Sequence, residues 1–235
     1  MPVSSRRRTT TLARDLLLLV VGLAVAAAAG VRATWSPCGE SMRASITPLG
    51  ERGRGASWRR TVTAYVVASI VGGAAVGAML GAVGGVAHVQ DSRWTLAAAG
   101  VLALVAAALD LAGRLPTLRR QVDETWMTRY RDWVYGAGFG FQLGVGAMTI
   151  VTSASLYLTW LVELLTGDPA LGALVGAAFG LSRAAPLLGT GRIATPDRLR
   201  SAQRRWQSRL PLARRGTIGV QAAAGLAMIA WAATA

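Results

Sequence analysis

The sequence predicts an all-α membrane protein: a polytopic bundle of about six spans, built as a 3+3 inverted repeat in which the first and fourth helices are broken. Three observations carry this. The chain is 53% hydrophobic and only 15% charged, whereas roughly a quarter of the residues of a soluble domain are charged. Apolar runs long enough to cross a bilayer core of about 30 Å alternate with short arginine-rich links. The two halves of the chain also repeat one order of elements: a broken glycine-rich segment, a glycine-striped span and a plainer span.

The elements follow in chain order. Residues 1–15, "MPVSSRRRTTTLARD", form a basic arm, and residues 16–31 are an apolar run. Together they resemble the basic and hydrophobic regions of a signal peptide, but longer apolar spans follow, so the run reads as an uncleaved first membrane segment. Further spans fall at about 62–87, 94–113, 134–163, 168–188 and 216–234. The first membrane repeat is therefore 16–113. An amphipathic cytoplasmic link at 114–133 joins it to a second repeat, 134–235, which contains a basic link at 189–215.

The arginine-rich links at 50–61, 114–133 and 189–215 belong on the cytoplasmic side, and "HVQDSR" and "ELLTGDP" on the other. The N-terminal segment resists this rule. Arg6, Arg7 and Arg8 precede it and Arg52, Arg54, Arg59 and Arg60 follow, so both ends favour the cytoplasm. One helix over 16–49 would be about 50 Å long. The segment must therefore bend at "SPCG", where Pro37 removes a backbone donor and Gly39 relaxes the chain; either it turns back there, or the arm is exported despite its charge.

Leu118, Val122, Trp126, Tyr130 and Trp133 or Val134 recur at helical spacing, as do Leu199, Trp206 and Leu210. Both stretches read as basic amphipathic helices at the membrane surface; a solvated linker explains the second as well. Gly73, Gly77, Gly81 and Gly85, and later Gly172, Gly176 and Gly180, make stripes on which another backbone can pack closely. Sliding one half onto the other by 110 residues sets Gly30 on Gly140 and Cys38 on Met148. Three spans per half make the repeat inverted, and the broken helices of such repeats commonly form the functional centre.

The net charge of +14 comes from arginines lying between apolar spans, not from a soluble basic face, so no nucleic-acid partner is expected. One cysteine and one histidine, Cys38 and His88, exclude an internal disulfide and a Cys/His zinc site; no metal and no cofactor are expected. Asp110 and Arg183 lie inside spans, where charges usually face the bundle interior or pair across it. A local bond from Asp110 to Arg114 and snorkelling of Arg183 explain them equally. Glu40 and Arg43 flank the thiol and either line a polar cavity or mark a loop, while His88 reads as a surface residue.

The stretch "GVRATWSPCGESMRASITPLG" resembles the first helix of the CcdA and DsbD membrane-domain family, with Ser-Pro-Cys followed by the later Pro48. "FGLSRAAPLL", with Gly180 and Pro186, is similar to that family's fifth helix. The resemblance implies a six-helix inverted repeat that passes reducing equivalents through one cysteine in each half, as in cytochrome c biogenesis. It also implies a thioredoxin-like partner. The second cysteine is missing here: Gly146, Ala147 and Met148 stand in its place, so the relay would run only through Cys38 and a partner thiol. Arg43 and a helix-end dipole would favour the Cys38 thiolate, and an inert thiol is the other reading.

The resulting expectation is a multi-pass protein of the bacterial cytoplasmic membrane, bound by lipid and by a thioredoxin-like or other membrane subunit. Cys38 is its candidate catalytic residue. The helix breaks and site lining are expected at Pro37, Gly39, Pro48, Gly140, Gly144, Gly146, Met148 and Pro186. A small-solute or ion transporter on the same scaffold, or a structural subunit, are the competing functions.

Overall fold

The computed structural model describes residues 3–89, 92–115, 123 and 125–234. Among them every regular element is a helix, with no strand. The helices are α1 (Val3–Ala33), α2 (Pro37–Ser45), α3 (Pro48–Gly53), α4 (Trp58–Val86), α5 (Arg93–Ala112), α6 (Trp126–Arg129), α7 (Asp132–Val145), α8 (Ser155–Thr166), α9 (Pro169–Leu188), α10 (Pro196–Gln207) and α11 (Leu210–Thr234). A 3-10 turn, Gly189–Arg192, follows α9. Five helical stretches of the described residues are long and apolar enough to cross a membrane: Thr11–Ala33, Trp58–Val86, Arg93–Ala112, Pro169–Arg192 and Pro196–Thr234. At 14 and 12 residues, α7 and α8 are each too short to do so alone.

Many of the helix starts are written in dipeptides. Ser36-Pro37, Thr47-Pro48, Asp168-Pro169 and Thr195-Pro196 open α2, α3, α9 and α10, each side chain accepting a hydrogen bond from the first turn while proline occupies its start. Proline's missing N–H costs nothing there, because the first turn has no intrahelical acceptor for it. Pro37 and Pro48 therefore begin helices.

Helix α4 is the central post, packed along α9 on one side and along α7 and then α8 on another. Glycine makes this approach possible. A Cβ on Gly73 or Gly77 would collide with the backbone carbonyls of Gly176 and Gly172, and one on Gly140 or Gly144 with those of Tyr65 and Ser69. These contacts set the directions: α7 and α8 run parallel to α4, and α9 runs antiparallel to it. Helix α5 pairs antiparallel with α11, with Gly100 against Gly225 and Asp110 against Arg214.

The N-terminal segment does not turn back. Gly22 meets Val175 and Gly30 meets Phe179 and Ser182, so α1 runs in the same direction as α9. Arg14 donates to the Leu165 carbonyl at the end of the bundle where α8 finishes. Beyond a bend at Thr34–Ser36, α2 and α3 continue to the opposite end, where Leu49 bonds Ile193 and Thr190 bonds Ile46. Arg59 and Arg60, at the start of α4, stand at that same end, since Trp58 bonds Thr190 and Ser57 bonds Asp132. The arm thus joins the bundle at one end and the basic link lies at the other.

Large apolar side chains remain exposed along the outer faces, among them Val67, Met79 and Val83 of α4, Leu102 and Val105 of α5, and Leu174 and Leu181 of α9. Such continuous apolar faces suit a lipid solvent. Of the expected amphipathic link, Leu118 and Val122 lie outside the described residues; Trp126 sits in the single turn α6 with its ring 6.0 Å from Phe139. Helix α10 is amphipathic as expected, but Trp206 turns inward: it stacks on Trp35 at 4.5 Å beneath the Arg43 guanidinium at 4.4 Å.

Candidate functional site

Two interruptions of the chain meet inside the bundle. The first is the bend Thr34–Ser36 between α1 and α2. The second begins where α7 stops at Gly146, whose φ of 79° is a left-handed conformation that glycine adopts without strain. From there an irregular stretch leads to α8, which starts at Ser155. Non-helical backbone of this kind, away from water, must find its partners within the protein.

Arg183 of α9 supplies them on one side. It is 3% exposed and donates to Ser36 Oγ at 3.4 Å and to Thr149 Oγ1 at 3.1 Å, one hydroxyl from each interruption. Ser36 Oγ in turn accepts the Gly39 N–H at 3.2 Å and so caps α2. One guanidinium therefore ties both breaks to the glycine-striped helix that carries it.

Asp110, in the last turn of α5, works from the other side. Its Oδ1 accepts the Ala154 N–H at 2.9 Å, and its Oδ2 accepts Ser153 Oγ–H and the Gln221 Nε2–H. The carboxylate stands at the α8 N-terminus, where backbone N–H groups and the helix dipole favour negative charge. Arg214 donates to the Asp110 and Leu111 carbonyls at 2.8 and 2.9 Å, closing the C-terminus of α5. Arg32 reaches Thr152 Oγ1 at 3.4 Å. The second interruption is thus held by hydrogen bonds from α1, α5 and α9.

Two cavities adjoin these residues. One, of about 730 Å³, is lined by Arg32, Asp110, Thr152, Ser153, Arg214 and Arg215 among others. The other, of about 10 Å³, lies between Arg183, Ala33, Thr149, Ser155 and Leu156. Among the described residues no three His, Cys, Asp or Glu side chains gather as a metal site.

The residues singled out in the sequence divide sharply. Asp110 and Arg183 both reach the centre, and each binds the interruption; neither the pairing across the bundle nor the Asp110–Arg114 bond forms, and Arg183 is buried instead of snorkelling. Gly146 ends α7, and Met148 lies exposed in the irregular stretch. Pro37 and Gly39 form the first turn of α2, where a Cβ on Gly39 would come within 2.7 Å of the Thr34 carbonyl. Gly140 and Gly144 lie inside α7 as packing positions against α4, Pro186 lies inside an uninterrupted α9, and Pro48 opens α3. Of these four only Pro48 adjoins a break, at 46–47 between α2 and α3.

Cys38 is fully buried in α2, packed among Met42, Ile46, Tyr65 and Leu187. Glu40 accepts from Gln207 Nε2 and so marks the α2–α10 contact. His88 follows α4 with φ 50°. Ser36, Thr149, Ser153 and Gln221 were not selected from the sequence. The polar Gln221 within the last apolar run, and the hydroxyl-rich "TIVTSAS" at 149–155, were the available signals.

Comparison with known proteins bears on the family. No family model matches the chain, and no solved structure matches it. It is 33% identical over 221 residues to the methylamine utilization protein MauF of Paracoccus versutus, covering 91% of this chain and 80% of that protein. It is 30% identical over 187 residues to the protein of that name from Methylophilus methylotrophus, and 34% identical over 172 residues to that from Paracoccus denitrificans. It covers 65% and 61% of those two, less than two thirds of their length.

These relatives overturn the CcdA and DsbD resemblance, and with it the thiol relay, the place in cytochrome c biogenesis and the catalytic role drawn for Cys38 from that family. The Ser-Pro-Cys stretch has a different physical cause: Ser36 caps α2, Pro37 starts it, and Cys38 fills an apolar layer. The chain belongs to the MauF family of methylamine utilization proteins.

Proposed function

We propose that the chain is a multi-pass protein of the bacterial cytoplasmic membrane that serves methylamine utilization, and that the centre held by Arg183 and Asp110 is its working part. The link to methylamine utilization comes from the names of its relatives. The observation that carries the rest is the pair of bonds from buried Arg183 to Ser36 and Thr149, which joins two interrupted helices at one point. Ionisable residues inside membrane segments are costly to bury and usually serve function.

In this reading α7 and α8 together make a sixth span, interrupted at 146–154, and the chain is an inverted repeat of residues 16–113 and 134–235 joined by 114–133. Support comes from the pairing of like with like. The two glycine-striped helices, α4 and α9, face each other antiparallel, as do the two plainer ones, α5 and α11, while each interrupted segment packs on the striped helix of the other half. The basic links at the start of α4 and along α10 face the cytoplasm by the positive-inside tendency. Lipid is the surrounding partner, and the exposed arginines of α10 offer a face to another membrane subunit.

Deleting the gene from a methylamine-using strain that has no other family member tests this. Growth on methylamine should be lost, growth on ammonium retained, and the full chain supplied from a plasmid should restore the first. Unchanged growth of the deleted strain on methylamine would refute the proposal.

A further inference from the structure

The larger of the two cavities carries charge that its own residues do not balance. Arg32 of α1 and Arg214 and Arg215 of α11 line its volume of about 730 Å³, and Asp110 is the one carboxylate among its described lining residues. Arg32 is attracted by Asp110 and repelled by Arg214. With three guanidinium groups to one carboxylate, two positive charges stay in excess. A cleft lined by one sign of charge draws the opposite sign.

The arginines also keep free donors. Among the described residues Arg32 donates only through Nη1, to Thr152, and Arg214 through Nε and Nη2, to the Asp110 and Leu111 carbonyls; Arg215 has no hydrogen-bond partner. Nε and Nη2 of Arg32, Nη1 of Arg214 and the whole Arg215 guanidinium are left for an anion. Asp110 forms no ion pair with any of the three, since its oxygens are taken by Ser153, Ala154 and Gln221.

Much of the remaining wall is apolar, with Leu111, Val151, Leu210, Pro211 and Ile218. Leu111 is 69% exposed, so this wall runs out to the surface of the bundle. A small soluble anion would leave it uncovered, whereas an amphiphile covers both parts. The volume falls within the range of about 300–1,000 Å³ usual for sites that hold organic ligands. Helix α11 begins two residues after the arginine-rich α10, at the end read as cytoplasmic, where basic pockets between spans bind anionic headgroups.

We propose that an anionic phospholipid binds here, its phosphodiester between Arg32, Arg214 and Arg215 and the start of its acyl chains on the apolar wall. This rests on the reading of the chain as a protein of the cytoplasmic membrane. It is tested on the purified chain, so it and the growth experiment can fail separately.

The full chain in a non-ionic detergent is titrated with phosphatidylglycerol, phosphatidylcholine or glycerol phosphate at equal ionic strength, and the thermal midpoint is measured. Phosphatidylglycerol should raise the midpoint saturably. Phosphatidylcholine, whose trimethylammonium cancels the phosphate charge, and glycerol phosphate, which has no acyl chain, should not. Arg32→Gln and Arg215→Gln should each weaken half-saturation about fivefold, while Arg52→Gln, on α3, should leave it unchanged. Should Arg32→Gln fail to fold, Arg215→Gln decides, since that side chain is exposed and holds nothing in place. No rise with phosphatidylglycerol, an equal rise with phosphatidylcholine or glycerol phosphate, or a half-saturation that Arg215→Gln moves no more than Arg52→Gln would each overturn the proposal.

Discussion

Asp110 illustrates how much one buried side chain can organise. It accepts hydrogen bonds from three groups on two other elements: the Ser153 hydroxyl, the Ala154 N–H and the Gln221 amide. Removing it strands the Ala154 N–H and the Gln221 amide, while the Ser153 hydroxyl keeps Ser155 Oγ at 2.7 Å, and hydrogen bonds to charged groups contribute about 1.5–3 kcal/mol each. Asp110→Ala should therefore destabilise the protein by at least about 3 kcal/mol, read as a lower midpoint of thermal unfolding in detergent. Asp110→Asn keeps an acceptor of the same shape and should lose about half as much. Equal midpoints for Asp110→Ala and the natural chain would show that the carboxylate does not hold the α8 start. Asp110 and Arg183 were legible in the sequence as charges inside apolar runs, but their bonding partners were not, since Ser36, Thr149 and Ser153 come from distant turns that only the fold brings together.

At the scale of elements, the glycines separate into two kinds that sequence spacing alone does not distinguish. Gly77 meets the Gly172 backbone of α9, whereas Gly219, on the exposed side of α11, has nothing within 4 Å of where a Cβ would be. Gly77→Ala should push α4 from α9 and cost about 1–3 kcal/mol, as overpacking does. Gly219→Ala should change stability by less than about 1 kcal/mol. Thermal midpoints of the two variants check this; a Gly77→Ala protein as stable as Gly219→Ala would mean that the helices are not in backbone contact. The stripes were readable because a period of four places glycine on one face of a helix. The breaks expected at Pro37 and Pro48 fall where α2 and α3 start, since a Ser-Pro or Thr-Pro pair signals the end of one helix and the capped start of the next with the same residues.

At the scale of the molecule, composition and hydropathy carried the all-helical fold and its long apolar helices, because chains this apolar satisfy their backbone groups most simply within helices. The family was not legible. "SPCG" draws attention through its cysteine; Cys38 packs in an apolar layer, while Ser36 accepts a hydrogen bond from Arg183. Arg183, which bonds both interruptions, is the residue on which the proposed function rests. The most direct measurement is the growth rate on methylamine of a strain whose only copy carries Arg183→Gln, at membrane abundance matched to the natural chain by immunoblot and with Gly219→Ala as the control. Growth on methylamine should be lost with Arg183→Gln and normal with the control; natural growth rates for Arg183→Gln at matched abundance would contradict the proposed function.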